Sequence, residues 1–250
     1  MTIPKIIHQV WLQGHDKIPT NLKIYHDGCK NINDNFESIF WDEVKIKKFL
    51  LEHFGQKYVD TFNLFPVFAQ KTDFARYAIL YIHGGIYLDM DTLCRKNLSP
   101  FLGLTFFTTI AGDGFYEIYK RYHNAIIGTV PKHPLFKIIL KNIFDRLVYL
   151  NNVTYSTGTR LFYDSVKEYR QTYKDDITIV DPKYLHPCGI FNNELCPFTC
   201  DDCYVSHINY SSWSPVSKSF QSIVKNFVLI LIIIVFIIIG WVCYRKFKKS

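Results

Sequence analysis

Two aspartates separated by one residue, Asp89 and Asp91, offer the clearest chemistry in the sequence. They end the stretch 84–91, Gly-Gly-Ile-Tyr-Leu-Asp-Met-Asp, which predicts a glycine turn followed by a short buried strand. Side chains two apart on a strand project from the same face, so both carboxylates could bind one divalent cation. Oxygen ligands suit Mg²⁺ or Mn²⁺, which complete their coordination with substrate phosphates. The alternative interpretation is a polar strand end exposed to water.

An acid, a guanidinium and a phenol precede this strand on a predicted helix. Asp73, Arg76 and Tyr77 stand at i, i+3 and i+4, so they share one helix face. An exposed Asp–Arg pair is usually a surface ion pair of little energetic value. Here the helix leads directly into the aspartate strand, where an oriented carboxylate and guanidinium could hydrogen-bond sugar hydroxyls and a diphosphate. The sequence therefore predicts one site built from both motifs.

The elements that must position these residues are short β-rich apolar runs alternating with amphipathic helical stretches, which predicts an α/β fold. We expect strands at Ile6–Leu12, Phe36–Trp41, Ile86–Met90, Thr105–Ala111 and Asn124–Gly128. We expect helices after the second strand to about Glu52, from Thr72 to about Ile82, over His133–Leu150, and from the turn Thr157-Gly158.

Four cysteines lie close together late in the chain, near His186 and His207. They are Cys188, Cys196, Cys200 and Cys203. Their spacing lacks the two paired knuckles of a zinc module, so disulfides in a lumenal domain are favoured, while zinc binding and free thiols stay open. Seven cysteines leave at least one unpaired, and Cys243 is the expected one.

A long apolar segment lies near the C-terminal end of the sequence. Residues 226–244 carry no charge and, at ~1.5 Å per residue, would reach roughly 28 Å as a helix, near the hydrocarbon thickness of a bilayer. This predicts one C-terminal transmembrane helix, with a soluble domain at 1–215, a juxtamembrane linker at 216–225 and a basic tail at 245–250. We expect a single-pass protein of the ER or Golgi membrane, with the lumenal side favoured for the soluble domain and the cytosolic side left open.

The charge distribution argues against a nucleic-acid partner. All 22 acidic residues lie before residue 226 and four of the 29 basic residues after it, so residues 1–225 have a net charge of only +3. A net charge this small does not indicate a basic surface stripe that would bind the phosphate backbone of a nucleic acid.

Four motifs together resemble a known family. Ile3-Pro-Lys-Ile-Ile-His-Gln-Val-Trp11, Phe40-Trp-Asp42, Asp73-Phe-Ala-Arg-Tyr77 and Gly84-Gly-Ile-Tyr-Leu-Asp-Met-Asp-Thr92 look like the D-x-D sugar-binding glycosyltransferases, glycosyltransferase family 32. This group includes initiating α-1,6-mannosyltransferases and the catalytic subunits that mannosylate inositol phosphorylceramide. The resemblance implies a GT-A type nucleotide-sugar-binding domain, a Rossmann-like mixed sheet flanked by helices. It also implies a nucleotide-sugar donor, a divalent metal (Mn²⁺ or Mg²⁺) and retention of anomeric configuration.

The resemblance also implies roles for individual residues. Asp91 would bind the metal and Asp89 the metal or the donor ribose. Asp73 and Arg76 would hold the donor sugar, with Tyr77 beside them in the donor site.

Two tryptophans and a histidine complete the implied site. Trp11 would stack on the nucleotide base, with core filling as its alternative. Trp213 and His207 resemble a segment that closes over the diphosphate, where His207 would be a third metal ligand or an ordinary loop residue.

From these motifs we expect a membrane-anchored, metal-dependent retaining transferase. It would move mannose from GDP-mannose to an inositol-phosphoryl sphingolipid or a similar glycolipid or glycan. The alternatives are a UDP-hexose-dependent transferase acting on protein or glycan, and a catalytically silent membrane-bound sugar-binding protein. Nucleotide-sugar, lipid or glycan acceptor and bilayer are the expected partners.

Overall fold

A mixed β-sheet with helices on its faces forms the centre of the protein, which we describe from a computed structural model over residues 2–110, 122–188 and 196–208. The strands in these ranges are β1 (Ile6–Val10), β2 (Glu37–Trp41), β3 (Gly85–Leu88), β4 (Thr92–Cys94), β5 (Phe106–Ile110), β6 (Tyr122–Thr129), β7 (Ile177–Val180) and β8 (Val205–His207). The helices are α1 (Thr20–Ile32), α2 (Glu43–Phe54), α3 (Gln56–Leu64), α4 (Phe68–His83), α5 (Leu135–Asp145), α6 (Val153–Ser156), α7 (Thr159–Thr172), α8 (Pro182–Leu185) and α9 (Cys196–Thr199).

Six strands form the main sheet in the order β2-β1-β3-β6-β5-β7. The pairs β1–β2, β1–β3 and β5–β7 are parallel, whereas β6 runs antiparallel to both β3 and β5. Strands β4 and β8 form a separate antiparallel ribbon. The parallel strands β1 and β3 therefore deliver their carboxyl ends to one edge of the sheet, which is where ligands bind in α/β proteins.

Both faces of the sheet are covered, because alternate side chains enter different apolar clusters. Tyr87 packs in the cluster beneath α4 and α5, while its neighbours Ile86 and Leu88 pack in the second cluster with α1 and the ribbon. A strand buried on both faces has no exposed polar position, and β3 is buried throughout.

The predicted strands are present with small shifts in their bounds, and one difference among the helices has a clear cause. Helix α4 begins at Phe68 rather than Thr72, and no side chain caps it. Its first turn is held instead from outside, since Gln70 Nε2 donates to the Leu150 carbonyl and to Ser156 Oγ at 2.9 Å each. The sequence did not predict helices α1 and α3, the short helices α6, α8 and α9, strand β7 or the β4–β8 ribbon.

The predicted membrane helix requires a correction. Among the described residues no helix is long and apolar enough to cross a membrane. The longest of them, α4, has 16 residues, about 24 Å at 1.5 Å per residue, and carries Asp73 and Arg76. The residues 226–244 lie outside the described ranges. The predictions of a membrane-anchored fold and of a single-pass membrane location are therefore wrong. The boundaries at 215, 225 and 244 also lie outside these ranges and stay predictions.

Candidate active site

The end of β3 places the two aspartates of the D-x-D motif. The strand stops at Leu88, so Asp89 and Asp91 lie in the turn between β3 and β4 rather than on the strand as predicted. The turn is fixed by backbone bonds: Asp89 N donates to the Ala125 carbonyl at 2.9 Å, and Thr92 N to the Asp89 carbonyl at 3.1 Å. The turn, not the pleat of a strand, brings the carboxylates together.

The β4–β8 ribbon adds a histidine from far along the chain. Thr92 pairs with His207 in the ribbon, and Ile208 N donates to the Asp91 carbonyl at 2.9 Å. As a result His207 Nε2 lies 3.1 Å from Asp91 Oδ1 and 3.7 Å from Asp89 Oδ2. The ligand atoms of these three residues all lie within 4.8 Å of one another. We call Asp89, Asp91 and His207 the metal triad.

The charge balance of the metal triad fits a divalent cation. Burial lowers the pKa of His207, but Asp91 and Asp89 raise it more, to about 10. The carboxylates of Asp89 and Asp91 stabilise a positive charge that lies close to both, which here is the protonated imidazole of His207. A metal ion would displace that proton, because a histidine ligand binds as neutral imidazole. Two carboxylate oxygens and one imidazole nitrogen are a donor set that Mn²⁺ accepts.

Arg76 of α4 lies at the centre of a second group of residues. Its Nη2 is 3.1 Å from Asp73 Oδ1, and its Nη1 is 3.1 Å from Asp89 Oδ1 and donates to the Asn124 carbonyl at 2.6 Å. The guanidinium lies over the Tyr87 ring, 4.4 Å from its centroid. Burial opposes its charge, but Asp89, Tyr87 and Asp73 together raise the pKa of Arg76, so it stays protonated.

Asp73 is enclosed by donors from three elements. Its Oδ1 accepts from Asn124 Nδ2 at 2.9 Å, and its Oδ2 accepts from Thr157 Oγ1 at 2.9 Å. Burial raises the pKa of Asp73 to about 6, against the lowering effects of Arg76 and of the Thr157 hydrogen bond. Since only 5% of the residue is exposed, its orientation is set by these partners.

Asp89 joins the two groups, because each of its oxygens faces a different one. Oδ1 accepts from the Tyr87 hydroxyl at 2.7 Å and pairs with Arg76, while Oδ2 faces His207. The structure thus brings Asp73, Arg76, Asp89, Asp91 and His207 into one continuous site at the carboxyl end of β3.

The remaining predicted site residues have different surroundings. Tyr77 is buried on α4, accepts from Asn124 Nδ2 at 3.0 Å and donates to the Thr157 carbonyl at 3.2 Å. Trp11 follows β1 and is partly exposed, with Nε1 donating to the Lys17 carbonyl at 3.2 Å. Among the described residues it belongs to neither apolar cluster, whereas Trp41 belongs to the first. Trp213 lies outside the described residues.

Sequence reasoning gave the side chains of Tyr87, Asn124 and Thr157 no roles, although it predicted that amides of the turn Thr157-Gly158 could meet donor or acceptor oxygens. Their signal was weak, because Tyr87 lies in an apolar strand, while Asn124 and Thr157 have other polar residues beside them. It also missed a stack of histidines behind the metal triad. The ring centroids of His123 and His186 are 4.2 Å apart, and that of His207 lies 5.3 and 5.4 Å from them. Burial lowers the pKa of His186 to about 3 and places that of His123 well below its usual value.

Five cysteines of the described residues form disulfides. Cys200 is bonded to Cys203, and Cys188 is also in a disulfide, so a zinc site on these residues is wrong. A further bond, Cys29–Cys94, joins α1 to β4 and was not predicted. Cys243 lies outside the described residues.

Comparison with known proteins identifies the family. Residues 19–108 match the glycosyltransferase sugar-binding region containing the DXD motif. The chain is 48% identical over 253 residues to an uncharacterized glycosyltransferase of Acanthamoeba polyphaga mimivirus, L373, covering 99% of this chain and 100% of that protein. The chain belongs to the DXD-containing glycosyltransferases. It is also 26% identical over 254 residues to the mannosyl phosphorylinositol ceramide synthase SUR1 of Saccharomyces cerevisiae, covering 98% of this chain and 60% of that protein.

The architecture agrees with that of a solved glycosyltransferase. The PaToxG glycosyltransferase has a TM-score of 0.50 and 19% identity, over 68% of this chain and 70% of that chain. This similarity establishes a GT-A-like fold for our glycosyltransferase. The matched family region contains Asp73, Arg76, Asp89 and Asp91, while Trp11 and His207 lie outside it.

Proposed function

We propose that this glycosyltransferase moves mannose from GDP-mannose to an inositol-phosphoryl sphingolipid or a similar glycolipid or glycan, with a divalent metal and with retention of configuration. The observation that carries the proposal is the continuous site in which Asp89 links the Asp73–Arg76 pair to the metal triad. A sugar-binding half and a metal-binding half in contact match the sugar and the adjoining diphosphate of a nucleotide-sugar.

The Asp73–Arg76 pair has capacity left for a sugar. A carboxylate offers about four acceptor positions, and Asn124, Arg76 and Thr157 take three of those on Asp73. One position therefore remains for a sugar hydroxyl. Arg76 Nε is buried without a hydrogen-bond partner among the described residues, so a donor oxygen would satisfy it.

Asp91 and His207, with Asp89 Oδ2, would hold the metal, for which we propose Mn²⁺. A bound divalent ion neutralises the negative charge that develops on the leaving diphosphate. The protein's own contribution is to fix the ligands: the β3–β4 turn holds both aspartates, and the ribbon holds His207. No reorganisation is then needed when charge develops.

The enclosure of Asp73 supports a front-face transfer without a covalent intermediate. An attacking carboxylate would have to give up its hydrogen bonds to Asn124 and Thr157, both made inside the protein. We therefore propose that Asp73 orients the sugar and that the leaving phosphate helps to remove the proton of the acceptor hydroxyl.

The choice of mannose and of the acceptor rests on the relatives. SUR1 is named as a mannosyl phosphorylinositol ceramide synthase, and an inositol phosphoceramide mannosyltransferase of Schizosaccharomyces pombe is 29% identical over 147 residues. The chain spans 60% and 38% of the lengths of these two fungal proteins. Their donor and acceptor are therefore part of the proposal.

The test is release of nucleoside diphosphate by the full chain with Mn²⁺, with and without inositol phosphorylceramide. The donors are GDP-mannose, UDP-glucose, UDP-galactose and UDP-N-acetylglucosamine. We expect turnover of GDP-mannose, and a loss of about 100-fold or more in Asp91→Asn, since a metal ligand supplies several kcal/mol of charge stabilisation. Asp145→Asn is the matched control, because this exposed carboxylate pairs only with Lys141 on α5 among the described contacts.

Each other result contradicts a defined part of the proposal. Turnover of a UDP-sugar instead refutes the donor while keeping the reaction class. Equal activity in Asp91→Asn and Asp145→Asn refutes the metal role. Metal-dependent nucleotide binding with no turnover of any donor favours a catalytically silent sugar-binding protein.

A further inference from the structure

His186 is a buried polar side chain that the proposed reaction does not yet use. It is 2% exposed, and both of its ring nitrogens, Nδ1 and Nε2, lack a hydrogen-bond partner among the described residues. An unmet buried donor or acceptor costs free energy, and a phenylalanine would fill the same space without that cost. Packing alone therefore does not account for an imidazole here.

The fold holds this ring in one place from both sides. His186 follows α8, and its backbone N–H donates to the Pro182 carbonyl at 2.7 Å. Helix α8 packs against β8, and just before that strand Tyr204 N donates to the Tyr184 carbonyl at 2.8 Å. Strand β8 also carries His207, so one element positions both histidines.

The ring lies next to the metal triad. Its plane is 23° from that of His207, with centroids 5.4 Å apart. On its other side lies His123, whose Nδ1 accepts from Ala125 N at 3.3 Å. The rings of His207 and His123 thus contact carboxylates or the backbone, whereas neither ring nitrogen of His186 has a hydrogen-bond partner among the described residues.

We propose that His186 contacts the substrate, donating a hydrogen bond to the terminal phosphate of the nucleoside diphosphate. The inference rests on the proposed function. An imidazole has an N–H donor in either tautomer and phosphate oxygens accept hydrogen bonds, so a neutral His186 can donate one such bond. The diphosphate is the group that a cation in the metal triad would hold beside this ring.

The experiment compares His186→Phe and His186→Gln with the full wild-type chain by calorimetric titration of GDP and GMP at saturating Mn²⁺. Phenylalanine keeps the ring packing and removes both nitrogens, whereas glutamine keeps an N–H donor. We expect His186→Phe to weaken GDP binding by at least about tenfold, as for a lost hydrogen bond to a charged group, with GMP binding unchanged. His186→Gln should recover most of the GDP affinity, and the melting temperatures should show that both variants fold.

Three results overturn the assignment: unchanged GDP affinity in His186→Phe, an equal loss for GDP and GMP, or weaker Mn²⁺ binding without nucleotide. Weaker Mn²⁺ binding without nucleotide would show that His186 supports the metal site instead of contacting the phosphate. UDP and UMP are titrated in parallel. If the wild-type chain prefers UDP, the proposed donor fails while the pair UDP and UMP still tests His186. If it binds neither diphosphate, the proposed function itself fails.

Discussion

Removing the Cys29–Cys94 disulfide should destabilise the protein more than removing any other described bond of known pairing. The bond joins α1 to β4, and both cysteines are buried. The perturbation is the double variant Cys29→Ala/Cys94→Ala, which leaves no unpaired thiol at this position. The matched control is Cys200→Ala/Cys203→Ala, which removes a bond of the same chemistry that closes a much shorter loop.

The two magnitudes follow from the length of chain each bond closes. A cross-link lowers the entropy of the unfolded chain in proportion to the logarithm of its loop length. Cys29 and Cys94 are 65 residues apart, which corresponds to about 4 kcal/mol at 25 °C. Cys200 and Cys203 are 3 residues apart, which corresponds to about 2 kcal/mol. Before rounding, the first variant should therefore lose about 2.7 kcal/mol more than the control.

Urea unfolding at 25 °C, followed by tryptophan fluorescence, measures both losses. The Cys29→Ala/Cys94→Ala protein should also show a larger m-value, because its unfolded chain expands further. Adding dithiothreitol to all three proteins should remove most of the difference between them. The reasoning is refuted if the long-loop variant loses no more than the control, or if its deficit persists unchanged in dithiothreitol. Either result would assign the loss to a packing defect.

Two further predictions concern the core beside the site. Burial lowers the pKa of His8 to about 3, so between pH 6.5 and 3 the unfolded state binds more protons and stability falls as the pH drops. His8 contributes about 1.4 kcal/mol per pH unit there, and urea titrations between these values should show a slope shallower by that amount in His8→Asn. Gly128→Ala would place Cβ 1.9 Å from the ring of Phe107 and should cost about 1–3 kcal/mol in urea unfolding. Gly103→Ala meets nothing within 4 Å and should leave stability nearly unchanged, whereas equal effects would contradict the packing argument.

The parts of the fold that follow a local pattern were predictable from the sequence. Gly84 and Gly85 have φ of 64° and 88°, a conformation that favours glycine, and the sequence marked this pair as the turn between helix and strand. The start of α4 was not predictable from capping rules, because Gln70 is held by residues some 80 positions away. Contacts of that separation leave no trace in local periodicity.

The residues of the site also fall into some that local sequence patterns predict and others that they do not. Asp73, Arg76 and the two aspartates lie within 19 residues, and helical and strand spacing put them near one another. His207 was placed among the candidate ligands only through resemblance, since nothing local links it to Asp91. The roles of Asn124 and His186 depend on strand pairing and on the packing of α8, which one sequence does not determine.

The β4–β8 ribbon connects the Cys29–Cys94 disulfide to the metal triad. Each of its strands has only three residues, and a two-stranded ribbon of that size has little stability of its own. Yet the metal ligand His207 reaches Asp91 only through this pairing. Cys94 ends β4 and is bonded to α1, so the bond fastens the ribbon to the core three residues after Asp91. A site whose third ligand comes from a weak element thus depends on a covalent link that lies outside it.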